Sequence, residues 1–198
     1  MMLNLIEELD IKGHLTISKL HGDGSEEVVF DDHNIIVSGM GVALAHLFAL
    51  SGSNSILDYQ IDRFQLGTSG NTSLETSSTN SLSGPLTTSP QYTGDSGNVL
   101  STSGYQIKNN SVQNNAVWYG VIPQQNITRI DDNTVRYTIF IDQNSCNNLP
   151  SAINEIGLFI KNIKNNNPIA SILVAYRYFS PIIKTSYFGL VFRWSLNF

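Results

Sequence analysis

Charge is scarce in this chain. Of its 198 residues only 14% are Asp, Glu, Lys or Arg, and the balance is acidic, with a net charge of -5. Globular domains usually carry about 25% charged residues. No basic stripe is available to neutralise a run of phosphates, which argues against general nucleic-acid binding. The loosely spaced cations Lys161, Lys164, Arg177, Lys184 and Arg193 read as solvated or paired side chains. Cysteine is nearly absent. The single Cys146 excludes an internal disulfide and the usual Cys-rich zinc site, and it suits assembly in a reducing cytoplasm. Long apolar runs are also missing. The longest, residues 42–50, contains His46 and falls well short of the ~20 residues needed to span a bilayer. Residues 1–10 are too short and too acidic for a secretory signal. The expectation is a protein with no membrane partner.

In place of charge the chain uses Asn, Ser, Thr, Gln and Gly, which suit turns and strand faces better than exposed helices. Its length predicts one domain over 1–198. Leu15 and Ile17 alternate with polar neighbours, 21–25 is a Gly-containing turn, and 26–30 returns as a second strand. Between 34 and 50 the period changes: Ile36, Met40, Ala43, Leu44, Leu47 and Leu50 follow helical spacing, with Ser38 as the candidate cap and Gly52 as the candidate stop. Residues 61–66 read as a strand closed by Gly67. Residues 116–122, 127–130, 134–141, 153–160, 169–179 and 188–198 read as further strands, with 131–133 as a tight acidic hairpin turn. Many strands and one helix predict a mainly β fold: an antiparallel β-sandwich with one packed α-helix and a long polar loop.

That loop is residues 68–104, where the composition collapses into Ser, Thr, Gly, Asn and Pro. A structureless stretch of this length is uncommon inside a domain. It reads as an extended arm inserted in the domain, with Leu74, Leu82 and Leu86 as apolar anchors that meet a neighbouring subunit. Leu3, Leu5 and Ile6, near helical spacing at the start of the chain, are the other candidate interaction residues, docking on a partner or on the protein's own core.

Catalytic patterns are hard to find. No Ser sits in a Gly-x-Ser-x-Gly elbow, and Gly39-Met40-Gly41 lacks the third glycine and the parallel βαβ unit of a dinucleotide site. His14, His21 and His33 fall near Asp23, Glu26, Asp31 and Asp32, but their spacing matches no standard metal loop. Glu155 is the most unusual acid, because it lies inside an apolar strand where it needs a hydrogen-bond partner. Trp118, Tyr119, Tyr176, Tyr178 and Tyr187 are candidate sugar-stacking aromatics, though in a strand-rich chain most aromatics pack the core. The expectation is a protein that is not an enzyme, with no cofactor and no metal ligand.

Three segments in order resemble structural proteins of tailed bacteriophages. Residues 32–39, Asp-His-Asn-Ile-Ile-Val-Ser-Gly, run into an apolar helix. Residues 64–70, Phe-Gln-Leu-Gly-Thr-Ser-Gly, lead through a polar stretch to a Leu-containing segment at 79–86. Residues 153–159, Ile-Asn-Glu-Ile-Gly-Leu-Phe, are followed by a strand, Lys184 and the closing strand with Trp194. This order is similar to that of tail-collar, fibre-attachment, neck or baseplate proteins. The resemblance marks Asn34, Gly39, Gly67, Glu155, Gly157, Lys184 and Trp194 as structural motif positions. It implies a β-sandwich mount that forms a ring or trimer with copies of itself, contacts other virion proteins, and resides in the virion after assembly in the bacterial host cytoplasm. A carbohydrate- or receptor-binding module of a phage tail is the alternative.

Overall fold

The computed structural model describes residues 11–48, 59–86, 107–112, 115–160 and 171–198. The chain opens with a hairpin, β1 (Lys12–His21) and β2 (Glu26–Ile36), followed by helix α1 (Ser38–Phe48) and β3 (Ile61–Gly67). Next come β4 (Ile107–Val112), β5 (Asn115–Val121), the short β6 (Ile127–Arg129) and β7 (Thr134–Ile141). β8 (Ile153–Ile160), β9 (Ile172–Ile182) and β10 (Phe188–Asn197) complete the set. The mainly β, antiparallel class expected from the sequence is what the protein has.

The described strands are hydrogen-bonded in the order β4-β5-β3-β8-β9-β2-β1-β10-β7-β6. β2 joins the two halves. Its body pairs with β1, whereas its last two residues, Ile35 and Ile36, pair with Tyr176 and Ala175 of β9. The strands therefore form one curled sheet whose two halves share β2.

Cross-strand rows of apolar side chains hold each half together. Tyr137, Trp194 and Leu15 lie in register across β7, β10 and β1, and Ile139, Phe192 and Ile17 form the next row inward. Trp194, Leu15, Phe192, Ile17 and Ile139 are fully buried. Phe64, Leu158 and Ala175 align across β3, β8 and β9. Both halves feed one apolar core, and the Phe179 and Phe192 rings meet across it at 6.3 Å between centroids.

Helix α1 lies on β9 through Met40 and Ala43. Its start is set by a close approach: a Cβ on Gly39 would stand 1.9 Å from the Leu173 carbonyl oxygen. Gly52, expected to stop the helix, lies outside the described residues, as do Leu3, Leu5 and Ile6.

The polar stretch 68–104 needs a correction over its first half. Residues 68–86 do not extend away from the domain. They fold back onto β3 and β8, with Thr68 N donating to Gly84 O and Leu86 N to Leu66 O, both at 2.9 Å. Pro85 bridges Gly67. Leu82 and Leu86 are buried in the protein's own core, and Leu74 packs at its margin. Their apolar surface is removed from water by their own sheet, so no neighbour is required to cover it. Residues 87–104 lie outside the described residues.

Candidate functional site

Three nodes of buried polar groups contain most of the motif positions, while Arg63 is buried apart from them with bonds to Asp62 and Ser171. The first is built on β8. Glu155 is fully buried. Strand alternation alone would give it an apolar setting, and the folded-back segment supplies the partners instead. Gly84 N donates to Oε1 at 2.7 Å, Ser83 N donates to Oε2 at 3.1 Å, and the Tyr176 hydroxyl donates to Oε2 at 3.1 Å. Burial, and after it the neighbouring carboxylate, pushes the Tyr176 hydroxyl well above its ordinary pKa.

Next to it, Asn154 pairs reciprocally with the backbone of Gly70, both bonds being 3.0 Å. Glycine is required around this node for space. A Cβ on Gly67 would lie 2.4 Å from Glu155 Oε1, and one on Gly70 would lie 2.6 Å from Glu155 Cβ. Gly157 leaves room for Leu82 and Leu173 in the same way. A buried carboxylate with three donors is a strong, directional clamp. Here it fastens the 68–86 segment to the sheet.

The second node joins the hairpin to the final strand. Trp194 Nε1 donates to Asn34 Oδ1 at 2.7 Å, with both residues buried. Gly13 faces Asn34 so closely that a Cβ there would stand 1.9 Å from Oδ1.

The third node surrounds Lys184, just past β9. Its Nζ donates to Thr185 O at 2.8 Å, Asn147 Oδ1 at 3.0 Å and Gln143 O at 3.3 Å. The Phe188 ring lies 5.5 Å from Nζ. Burial lowers the Lys184 pKa to about 8, against the opposing pull of Cys146 and Asp142. Burial raises the Cys146 thiol to about 12, so this cysteine is held as an unreactive thiol.

On the surface the charged groups are largely paired. Arg193 forms a two-pronged bond with Glu26 at 2.7 and 2.8 Å. Arg177 bridges Asp32 at 2.6 Å and Glu75 at 2.8 Å and stacks on Phe30. The His14 and His33 rings meet edge to face across β1 and β2 at 5.4 Å between centroids, and His21 stands apart from them. His14 Nε2 meets Asp31 at 2.8 Å, and His21 lies 3.5 Å from Glu27. Among the described residues no group of three or more His, Cys, Asp or Glu is placed to hold a metal ion.

Of the candidate sugar-binding aromatics, Tyr176 is consumed by the Glu155 clamp, Tyr178 is half-buried, and Tyr187 is exposed. The side chains of Trp118 and Tyr119 lie outside the described residues. Exposed apolar side chains are scattered, with Ile183 and Tyr187 flanking the Lys184 corner. No helix among the described residues is long and apolar enough to cross a membrane.

The sequence marks Glu155, Lys184, Asn34 and Trp194 without revealing what each one holds. Apart from Thr185 beside Lys184, their partners lie 21 to 160 residues away along the chain, and no local pattern connects them. No family model matches the chain, and comparison with curated proteins and with solved structures finds no match.

Proposed function

We propose that the chain is a structural component of a tailed-phage virion, a neck, baseplate or fibre-attachment adaptor that assembles into a symmetric oligomer. The observation that carries this reading is the use made of the buried polar groups. Glu155, Lys184, Asn34 and Trp194, four of the positions on which the phage resemblance rests, are each engaged in tying distant segments together. A rigid body braced in this way suits a mount that transmits force between symmetric parts. The paired surface charges and the sparse charge overall suit a surface covered by neighbours. Partners would be further copies in a ring or trimer, together with other virion proteins.

Native mass spectrometry of the purified chain tests the assembly step. A closed ring or trimer is the expected species at micromolar concentration. A monomer that remains so at high concentration, and that binds glycans on an array, would instead favour a receptor-binding module exposing Tyr187.

A further inference from the structure

The Lys184 corner brings an amine and a carboxamide into contact. We propose that Lys184 and Asn147 form an intramolecular isopeptide cross-link, made by the folded protein itself with Asp142 as the assisting acid-base group.

Three kinds of observation support this assignment. The first is proximity. Lys184 Nζ lies 3.0 Å from Asn147 Oδ1, so the amide carbon is one bond beyond the atom already contacted. A rotation of the Asn147 amide presents its carbonyl face to the amine. Holding two reactants in this way replaces a bimolecular encounter with an intramolecular one, which is worth ~7–11 kcal/mol of barrier in well-oriented systems.

The second is the environment. Lys184, Asn147 and Asp142 are all buried, at 4%, 9% and 8% exposure, and the Phe188 ring covers the amine. The amine and the amide are screened from bulk water, the competing nucleophile, while Asp142 stands at the rim facing it. Burial also favours the neutral amine, the form that attacks.

The third is strain. Asn147 stands between two non-glycine residues in the left-handed region, Cys146 and Asn148, each with φ 57°. Its Nδ2 donates to Gln143 O at 2.7 Å, a bond that directs Oδ1 toward Lys184 and is given up as the amide turns. Backbone strain held by surrounding structure marks places where a geometry is being enforced.

The chemistry balances without any added reagent. Neutral Lys184 Nζ attacks Asn147 Cγ, forming a C–N bond and placing negative charge on Oδ1. The proton shed by Nζ passes to Nδ2 through Asp142. The Cγ–Nδ2 bond then breaks, the carbonyl reforms, and one ammonia leaves. Asp142, Gln143 and Asn144 line a depression of about 240 Å³ open to solvent, which offers the ammonia a way out. The product ties the 142–151 loop to the junction between β9 and β10.

Intact-mass spectrometry of the full folded chain, incubated at pH 8–9 and then mapped with protease, tests the proposal. The expected mass is lower than the sequence mass by one ammonia, with a branched peptide joining Asn147 to Lys184. Ammonia loss elsewhere, such as succinimide formation, gives the same mass change but no branched peptide. Asp142→Asn keeps the size of the side chain but removes the acid-base group, and it should slow cross-linking by roughly a hundredfold while leaving the circular dichroism spectrum unchanged. Full sequence mass with Lys184 and Asn147 on separate peptides in the folded wild-type chain would overturn the proposal.

Discussion

Glu155 shows how much one side chain can decide. It accepts from two backbone N–H groups and a hydroxyl with no exposure to solvent. Glu155→Ala leaves all three donors without their acceptor and should destabilise the fold by about 3–5 kcal/mol. Glu155→Gln keeps the volume but turns an NH₂ toward one of the donors, at about 1–3 kcal/mol. Urea unfolding checks both, and the midpoint should fall without a change in m-value.

The Lys184 corner predicts a particular alkaline profile. Below about pH 8 Lys184 is protonated in both states and the cost of burying it is fully present. From about 8 to the ordinary 10.5 the unfolded chain holds a proton that the folded chain has released, so stability rises with pH. Cys146 acts in the opposite sense. From its ordinary 9.0 up to about 12 the unfolded thiol ionises while the buried one stays protonated, so stability falls. A chain with a free Lys184 should therefore gain stability from pH 8 to 9 and lose it above about 10.5. Cys146→Ala should weaken the fall. Once the cross-link has formed Lys184 no longer titrates, and the rise should be absent. Chemical unfolding at a series of pH values reads all three.

At the scale of the element, helix α1 is placed by backbone contact as well as by its apolar side chains. Gly39 and Gly41 sit two residues apart and should respond oppositely to alanine. Gly39→Ala drives a Cβ into the Leu173 carbonyl at 1.9 Å and should cost about 2 kcal/mol or more. At Gly41 a Cβ meets nothing within 4 Å, so alanine should stabilise the helix by about 0.5 kcal/mol. Thermal unfolding of the two variants measures the contrast. The helix from Ser38, the opening hairpin, β3 and the β6–β7 hairpin were legible in the sequence because each has a strong period and a local turn, but β2 continues past 30 to Ile36, which the helical spacing claims and which pairs with β9 instead. The Asp131 carboxylate, for instance, accepts from Asn133 N and Thr134 N at 2.8 and 2.7 Å, which is the turn chemistry its sequence announces.

β4 was not legible. Ile-Lys-Asn-Asn-Ser-Val has no apolar alternation, and its position at the end of the strand order makes no demand for one. The 68–86 segment misleads for a related reason. Its composition is that of a loop, and it is ordered by side chains of β8 71 to 84 residues further on. The buried acid was visible in the sequence as an oddity in an apolar strand, but the clamp it makes is a property of tertiary structure.

At the scale of the whole molecule, the curled sheet packs on a main core and a smaller apolar cluster, and its buried polar groups fasten segments that are distant in the chain. The proposed role as a virion component calls for this kind of body, one that holds its shape under contact with neighbours. The most direct test is immunogold electron microscopy of intact tailed particles from a producing lysate, using antibody raised against the recombinant chain. Label at one fixed level of the neck, tail or baseplate, with peptides of the chain present in the purified particles by mass spectrometry, is the predicted result. Particles that carry neither label nor peptides, while the chain remains free in the lysate, would contradict the account.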